Sequence, residues 1–213
     1  MRSGPERRDL QADRVDRRTL LRAGLTTGLG VVALGATALT GAASPDLEVR
    51  AFLRQYGWAH CMKCQGLSYA GALSSSICPK DGKTHSAYGS LPYYLSYSDN
   101  PNEPQTWDRQ NQWRHCKKCQ GLAYNGQGLL GWCPAGRHHD HTDSYNYFLW
   151  HDTNTPIYRQ TGWKFCDKCM ALFYGPAFAT SACGKSGQHH EPVYPPSFDY
   201  SLEYDCGSPN GCR

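Results

Sequence analysis

Nine cysteines and three histidines in this chain stand at spacings that suit a metal ion. Cys61-Met-Lys63-Cys64, Cys116-Lys-Lys118-Cys119 and Cys166-Asp-Lys168-Cys169 are three Cys-x-Lys-Cys turns. A third cysteine follows each turn after 14 residues, at Cys78, Cys133 and Cys183. A Gly-x-x-His then ends at His85, His139 and His190. Three cysteines per copy cannot all pair within the copy as disulfides. Three thiolates and an imidazole are instead the donor set of tetrahedral zinc, at about 2.0–2.3 Å. The expectation is one closed Cys3His site per copy and three Zn2+ in all.

Alignment on Gly82, Gly136 and Gly187 selects the three histidines, although His138, His141 and His189 stand nearby. The cluster from His138 to His141 around Asp140 opens an alternative, a metal-dependent hydrolase whose exposed ion activates water. No paired general acid, Gly-x-Ser-x-Gly, His-Glu-x-x-His or phosphate loop accompanies it. No catalytic residue is therefore assigned, and enzyme is the lesser reading. His60 and His115 precede the first cysteine in two copies, but Phe165 stands there in the third, against a ligand role. Lys63, Lys118 and Lys168 either offset the excess negative charge of a Cys3His site or are solvated turn residues.

These residues sit inside a longer repeated phrase. Arg54-Gln55…Trp58…Leu67…Tyr69 returns as Arg109-Gln110…Trp113…Leu122…Tyr124 and as Arg159-Gln160…Trp163…Leu172…Tyr174. Each Cys-x-x-Cys is flanked by residues that read as a strand and a returning strand. A third strand alternates strictly at Tyr93-x-Leu95-x-Tyr97, Tyr147-x-Leu149-x-His151 and Tyr200-x-Leu202-x-Tyr204. No apolar period of 3.6 runs through any copy. The fold class expected is all-β, with three tandem zinc-ribbon-like units at 54–99, 109–152 and 159–205. Units this short bury too little apolar surface to stand alone without metal. They could hang as beads or pack about a pseudo-threefold axis; the recurring Arg-Gln and the short linkers favour packing.

Residues 1–43 read as a targeting segment. Arg17-Arg18 precedes a small-residue apolar run that ends near Gly41-Ala42-Ala43, as in a twin-arginine-type signal peptide. The segment holds seven of the 22 basic residues and four of the 18 acidic ones, so the remainder is nearly neutral. That balance counts against nucleic acid as a partner. The membrane is involved only through the signal during export, and the localisation expected is extracytoplasmic. Zinc loaded before export would protect the thiols. In the tail at 206–213, Cys206 and Cys212 flank Pro and Gly turn residues and could close a local disulfide.

The whole phrase, over about 54–205, resembles a tandem repeat of exported bacterial proteins with no activity attached to it. Its cysteine spacing resembles zinc ribbons, a likeness of fold that carries no function. The function expected is a secreted, metal-stabilised binding module whose partner is a glycan, the cell envelope or a protein. The recurring Trp and Tyr are expected in the core. The non-recurrent Trp107, Trp132 and Trp150 are the candidate ligand contacts.

Overall fold

A computed structural model of the chain describes residues 52–100, 103–153, 158–192 and 198–207. The proposed signal segment and Cys212 lie outside the described residues. Nine strands run in three matched sets: β1 (Leu53–His60), β2 (Leu67–Tyr69) and β3 (Tyr93–Ser98); β4 (Arg109–His115), β5 (Leu122–Tyr124) and β6 (Asn146–His151); β7 (Arg159–Phe165), β8 (Leu172–Tyr174) and β9 (Tyr200–Tyr204). Among the described residues the helices are three short 3-10 turns, none able to cross a membrane. The all-β expectation holds.

Within each set the long first strand pairs antiparallel with both of its partners. Trp58 faces Tyr69 on β2, and Trp113 and Trp163 face Tyr124 and Tyr174 in the same register. A bulge interrupts the other edge just before each Trp. It needs a left-handed residue, supplied by Gly57 (φ 89°), Gln112 (φ 69°) and Gly162 (φ 89°).

The three sets are not beads. The end of β3 pairs with the start of β6, at Ser96–Phe148 and Ser98–Asn146. The end of β6 pairs with the start of β9, at Trp150–Ser201. The end of β9 returns to the start of β3, at Tyr204–Tyr93. One nine-stranded, nearly closed, barrel-like sheet results.

Its core takes the same four residues from each set: Trp58, Leu67, Tyr93 and Leu95, then Trp113, Leu122, Tyr147 and Leu149, then Trp163, Leu172, Tyr200 and Leu202. Burying each leucine contributes roughly 1.5–3 kcal/mol. The recurring Arg-Gln gains its role here. The Gln55 amide oxygen accepts from Trp58 Nε1 at 3.1 Å and from the Tyr147 hydroxyl of the next set at 2.5 Å. Gln110 likewise accepts from Trp113 and Tyr200, at 3.1 and 2.6 Å. Gln160 accepts from Trp163 and Tyr93, which closes the ring. Buried donors left unpaired cost about 1–3 kcal/mol each, so these glutamines tie each core to the next.

Candidate metal centres

The turn between the first two strands of each set is a tight knuckle. Cys61 N–H donates to Gly66 O at 2.9 Å, and Gln65 N–H donates back to Cys61 O at 2.7 Å. The same pair of bonds recurs at Cys116 and at Cys166. The backbone then turns left-handed at Gln65, Gln120 and Met170. This places two sulfurs on one side of a pocket, and the loop before the third strand brings the other two ligands.

Cys61, Cys64, Cys78 and His85 gather with all four donor atoms within 4.8 Å of one another, as do Cys116, Cys119, Cys133 and His139, and Cys166, Cys169, Cys183 and His190. All twelve residues are buried. The Cys61–Cys78, Cys116–Cys133 and Cys166–Cys183 sulfurs are 4.0, 3.8 and 3.9 Å apart. Nδ1 of His85, His139 and His190 lies 3.5, 3.6 and 3.4 Å from Cys64, Cys119 and Cys169. Ligands of one tetrahedral ion with bonds of about 2.0–2.3 Å stand roughly 3.5–3.8 Å apart, so the residues fit a metal.

The buried groups of each site share protons unequally: neighbouring cysteines and burial push Cys64 and Cys119 well above the usual thiol value, as burial and neighbouring cysteines do Cys169. Hydrogen bonds from Cys64 and Cys78 hold the Cys61 thiol far below its usual value, and Cys119 and Cys133 do so for Cys116. In the third set Cys183 is lowered by Cys166 and Cys169. Burial pulls His85 and His139 down, but hydrogen bonds to these thiolates outweigh it and raise each to about 9. A bound cation would take the place of the protons held there.

Surrounding groups aim the ligands. The Ser86 and Asp140 amides donate to Cys61 and Cys116 sulfur at 3.5 and 3.3 Å. The His85 and His190 amides donate to Ser76 and Ser181 hydroxyls at 2.9 and 2.8 Å. The lysines of the knuckles tie down the ligand loop: Lys63 holds Asp81 and Thr84 O at 2.8 and 2.7 Å, Lys118 holds Gly136 O at 2.7 Å, and Lys168 pairs with Glu191.

The sites also interlock. Tyr69 N–H donates to Gln120 O, Tyr124 N–H to Met170 O and Tyr174 N–H to Gln65 O, each at 2.8 Å. Each knuckle thus carries a strand of another copy. His139 Nε2 donates to Cys169 O, one ligand residue of the second site to one of the third, at 3.0 Å. His60 packs edge-on against Trp163, His115 against Trp58 and Phe165 against Trp113. The position before the first cysteine is therefore a packing wedge, which explains why Phe serves in the third copy.

The surplus histidines do not converge. His138 Nδ1 donates to Gly131 O at 2.8 Å, and His141 Nδ1 faces His115 O at 3.3 Å. Among the described residues neither belongs to a metal-ligand group. Cys206 is disulfide-bonded, while Cys212, its expected partner, lies outside the described residues.

The three candidate contact tryptophans separate. Trp107 is 83% exposed and shares a cleft with Trp150. Trp132, 41% exposed, lies instead against His138. Trp150 is half-buried, its ring under the guanidiniums of Arg109 and Arg159 at 5.3 and 4.2 Å. Sequence reading passed over the polar residues of that cleft, Asp108, Asp152 and Arg159. Their signal was weak: Asp152 recurs as Asp99 and Asp205 and Arg159 as Arg54 and Arg109, which reads as scaffold, and nothing in the sequence marks Asp108. No protein-family model, curated protein or solved structure matches this chain.

Proposed function

We propose that this chain is a secreted binding module whose three metal sites hold structural zinc. The observation that carries this reading is the closure of the sites: each offers four buried protein ligands in tetrahedral spacing, with the knuckles bonded into neighbouring copies. Closed sites of this kind supply folding energy and leave no position for a substrate. Export by a twin-arginine-type route suits a protein that must fold and load metal before it leaves the reducing cytoplasm. Its partner is then an extracellular glycan, or a protein of the envelope, and not nucleic acid.

Elemental analysis of the protein recovered after export tests the reading. About three zinc ions per chain and nine protected thiols are expected. Protein recovered without zinc, its thiols oxidised, would overturn it.

A further inference from the structure

The core of this molecule obeys the threefold pattern, and its outer face breaks it. Tyr93, Tyr147 and Tyr200 occupy one matched position and point inward with Leu95, Leu149 and Leu202. The residue after each leucine lies on the opposite face of the strand, and there the three copies carry Ser96, Trp150 and Glu203. Two residues before the repeated Arg, the first copy has Phe52, the second Trp107 and the third Ile157. A scaffold needs matched residues where the copies meet; what it displays is free to differ.

Two of these departures, Trp107 and Trp150, meet in one place. A cleft of about 450 Å3 is lined by Trp107, Asp108, Trp150, Asp152, Thr153 and Arg159. It lies at the starts of β4 and β7, the ends away from the Cys-x-x-Cys knuckles. Trp107 stands on a turn locked from three sides. The Thr106 hydroxyl donates to Asp108 Oδ1 at 2.6 Å, Arg109 Nε donates to the Thr106 hydroxyl at 3.2 Å, and Thr106 N–H donates to Arg109 O at 3.3 Å. An indole 83% exposed on a fixed turn is a preorganised platform for a flat apolar face.

The walls of the cleft have unanswered hydrogen-bonding groups. Among the described residues Trp150 Nε1 and Arg159 Nε are buried without a hydrogen-bond partner and sealed from the cleft, which leaves the carboxylates as its reachable polar groups. The Arg159 side chain is 9% exposed and held by Glu203 at 3.4 Å, so its Nε cannot turn to solvent. Across the cleft, Asp152 takes the Asp199 amide on Oδ1 at 2.9 Å and faces His151 Nδ1 with Oδ2 at 3.1 Å, which leaves lone pairs over. The occupant must offer hydroxyl donors to the carboxylates and an apolar face to Trp107. The lining holds two carboxylates, Asp108 and Asp152, against the one guanidinium of Arg159, so an acidic ligand gains nothing.

We propose that this cleft is a binding subsite for a neutral saccharide, with Trp107 stacking on a pyranose ring and the carboxylates of Asp108 and Asp152 accepting from its hydroxyls. This rests on the binding-module reading and names its ligand class.

The test is calorimetry and tryptophan fluorescence on the metal-loaded full chain, titrated with cellotetraose, chitotetraose and maltotetraose and, as the acidic control, tetragalacturonate. Saturable binding of at least one neutral probe, stronger than that of tetragalacturonate, is expected. Trp107→Ala should weaken it by about tenfold or more, the scale of a lost aromatic contact. Trp132→Ala, outside the cleft, should leave it unchanged. The inference is overturned by no saturable neutral binding, by binding indifferent to Trp107→Ala, or by preference for tetragalacturonate. Metal content measured on the same sample separates the two readings: a fully loaded chain that binds no saccharide ends the subsite and leaves the module standing.

Discussion

At the scale of the residue, the three copies act as natural substitutions of one another. Gly57 and Gly162 take the left-handed backbone of the bulge at no steric cost, while Gln112 holds φ 69° with a side chain. The bulge is kept by local bonds: Gln112 N–H reaches Asn146 Oδ1 at 3.0 Å, and Gln112 O accepts from Asn125 N–H at 2.9 Å. Both bonds use backbone atoms and survive a change of side chain. Gln112→Gly should therefore stabilise the metal-loaded protein by about 0.5–1 kcal/mol, the relief of left-handed strain less the added freedom of the unfolded chain. A denaturant midpoint raised at constant slope checks it; a lowered midpoint would show that the Gln112 side chain has a role of its own.

At the scale of the element, the three Tyr-x-Leu strands set how the molecule meets alkali. Burial pushes the phenols of Tyr93, Tyr147 and Tyr200 well above their ordinary value near 10. A raised folded-state pKa means that the contribution to stability is whole below the unfolded value. It is lost as pH rises from about 10 toward the folded value. These three phenols should stay protonated above pH 10 until the sheet opens, and then ionise with it. Phenolate absorbance followed beside far-ultraviolet circular dichroism checks this. Early, independent ionisation of all the tyrosines would place these three outside the core. The strands themselves were legible in sequence because alternation of Tyr and Leu has only one face to bury. That the units pack was legible in the recurring Arg-Gln and the short linkers; the way β3, β6 and β9 close the sheet was not. It depends on which end of each strand meets the next, and on a glutamine whose two donors come from different copies. A single-copy pattern holds no such information. The metal ligands were legible for the opposite reason: knuckle spacing is local, and a tetrahedron leaves few alternatives. The cleft at Trp107 and Trp150 assembles residues from β6, β7 and the turn before β4, and sequence order could only mark its tryptophans as odd.

At the scale of the whole molecule, the interlocked knuckles decide whether three metal sites behave as three or as one. Independent beads would lose one ion without notice to the others. Here each knuckle carbonyl, Gln65 O, Gln120 O and Met170 O, accepts the amide of a short strand in another copy. His139, a ligand of the second site, also leans on Cys169 O. Opening one knuckle unpairs a strand beside the next site and loosens the ring of Gln–Tyr bonds that joins the cores. Metal binding and folding are then one equilibrium shared by three ions. Cys169→Ser, which weakens only the third site directly, should make the first and second release metal at lower chelator concentration, about tenfold or more if coupling reaches the 1–3 kcal/mol usual between linked sites. A chelator titration with a chromophoric metal indicator reads all the release steps at once. If the intact two sites of the variant hold their ions as tightly as the wild type does, the knuckles are neighbours without coupling. A steep single release in the wild type, shifted as a whole in the variant, is the outcome that the cyclic hydrogen bonding requires.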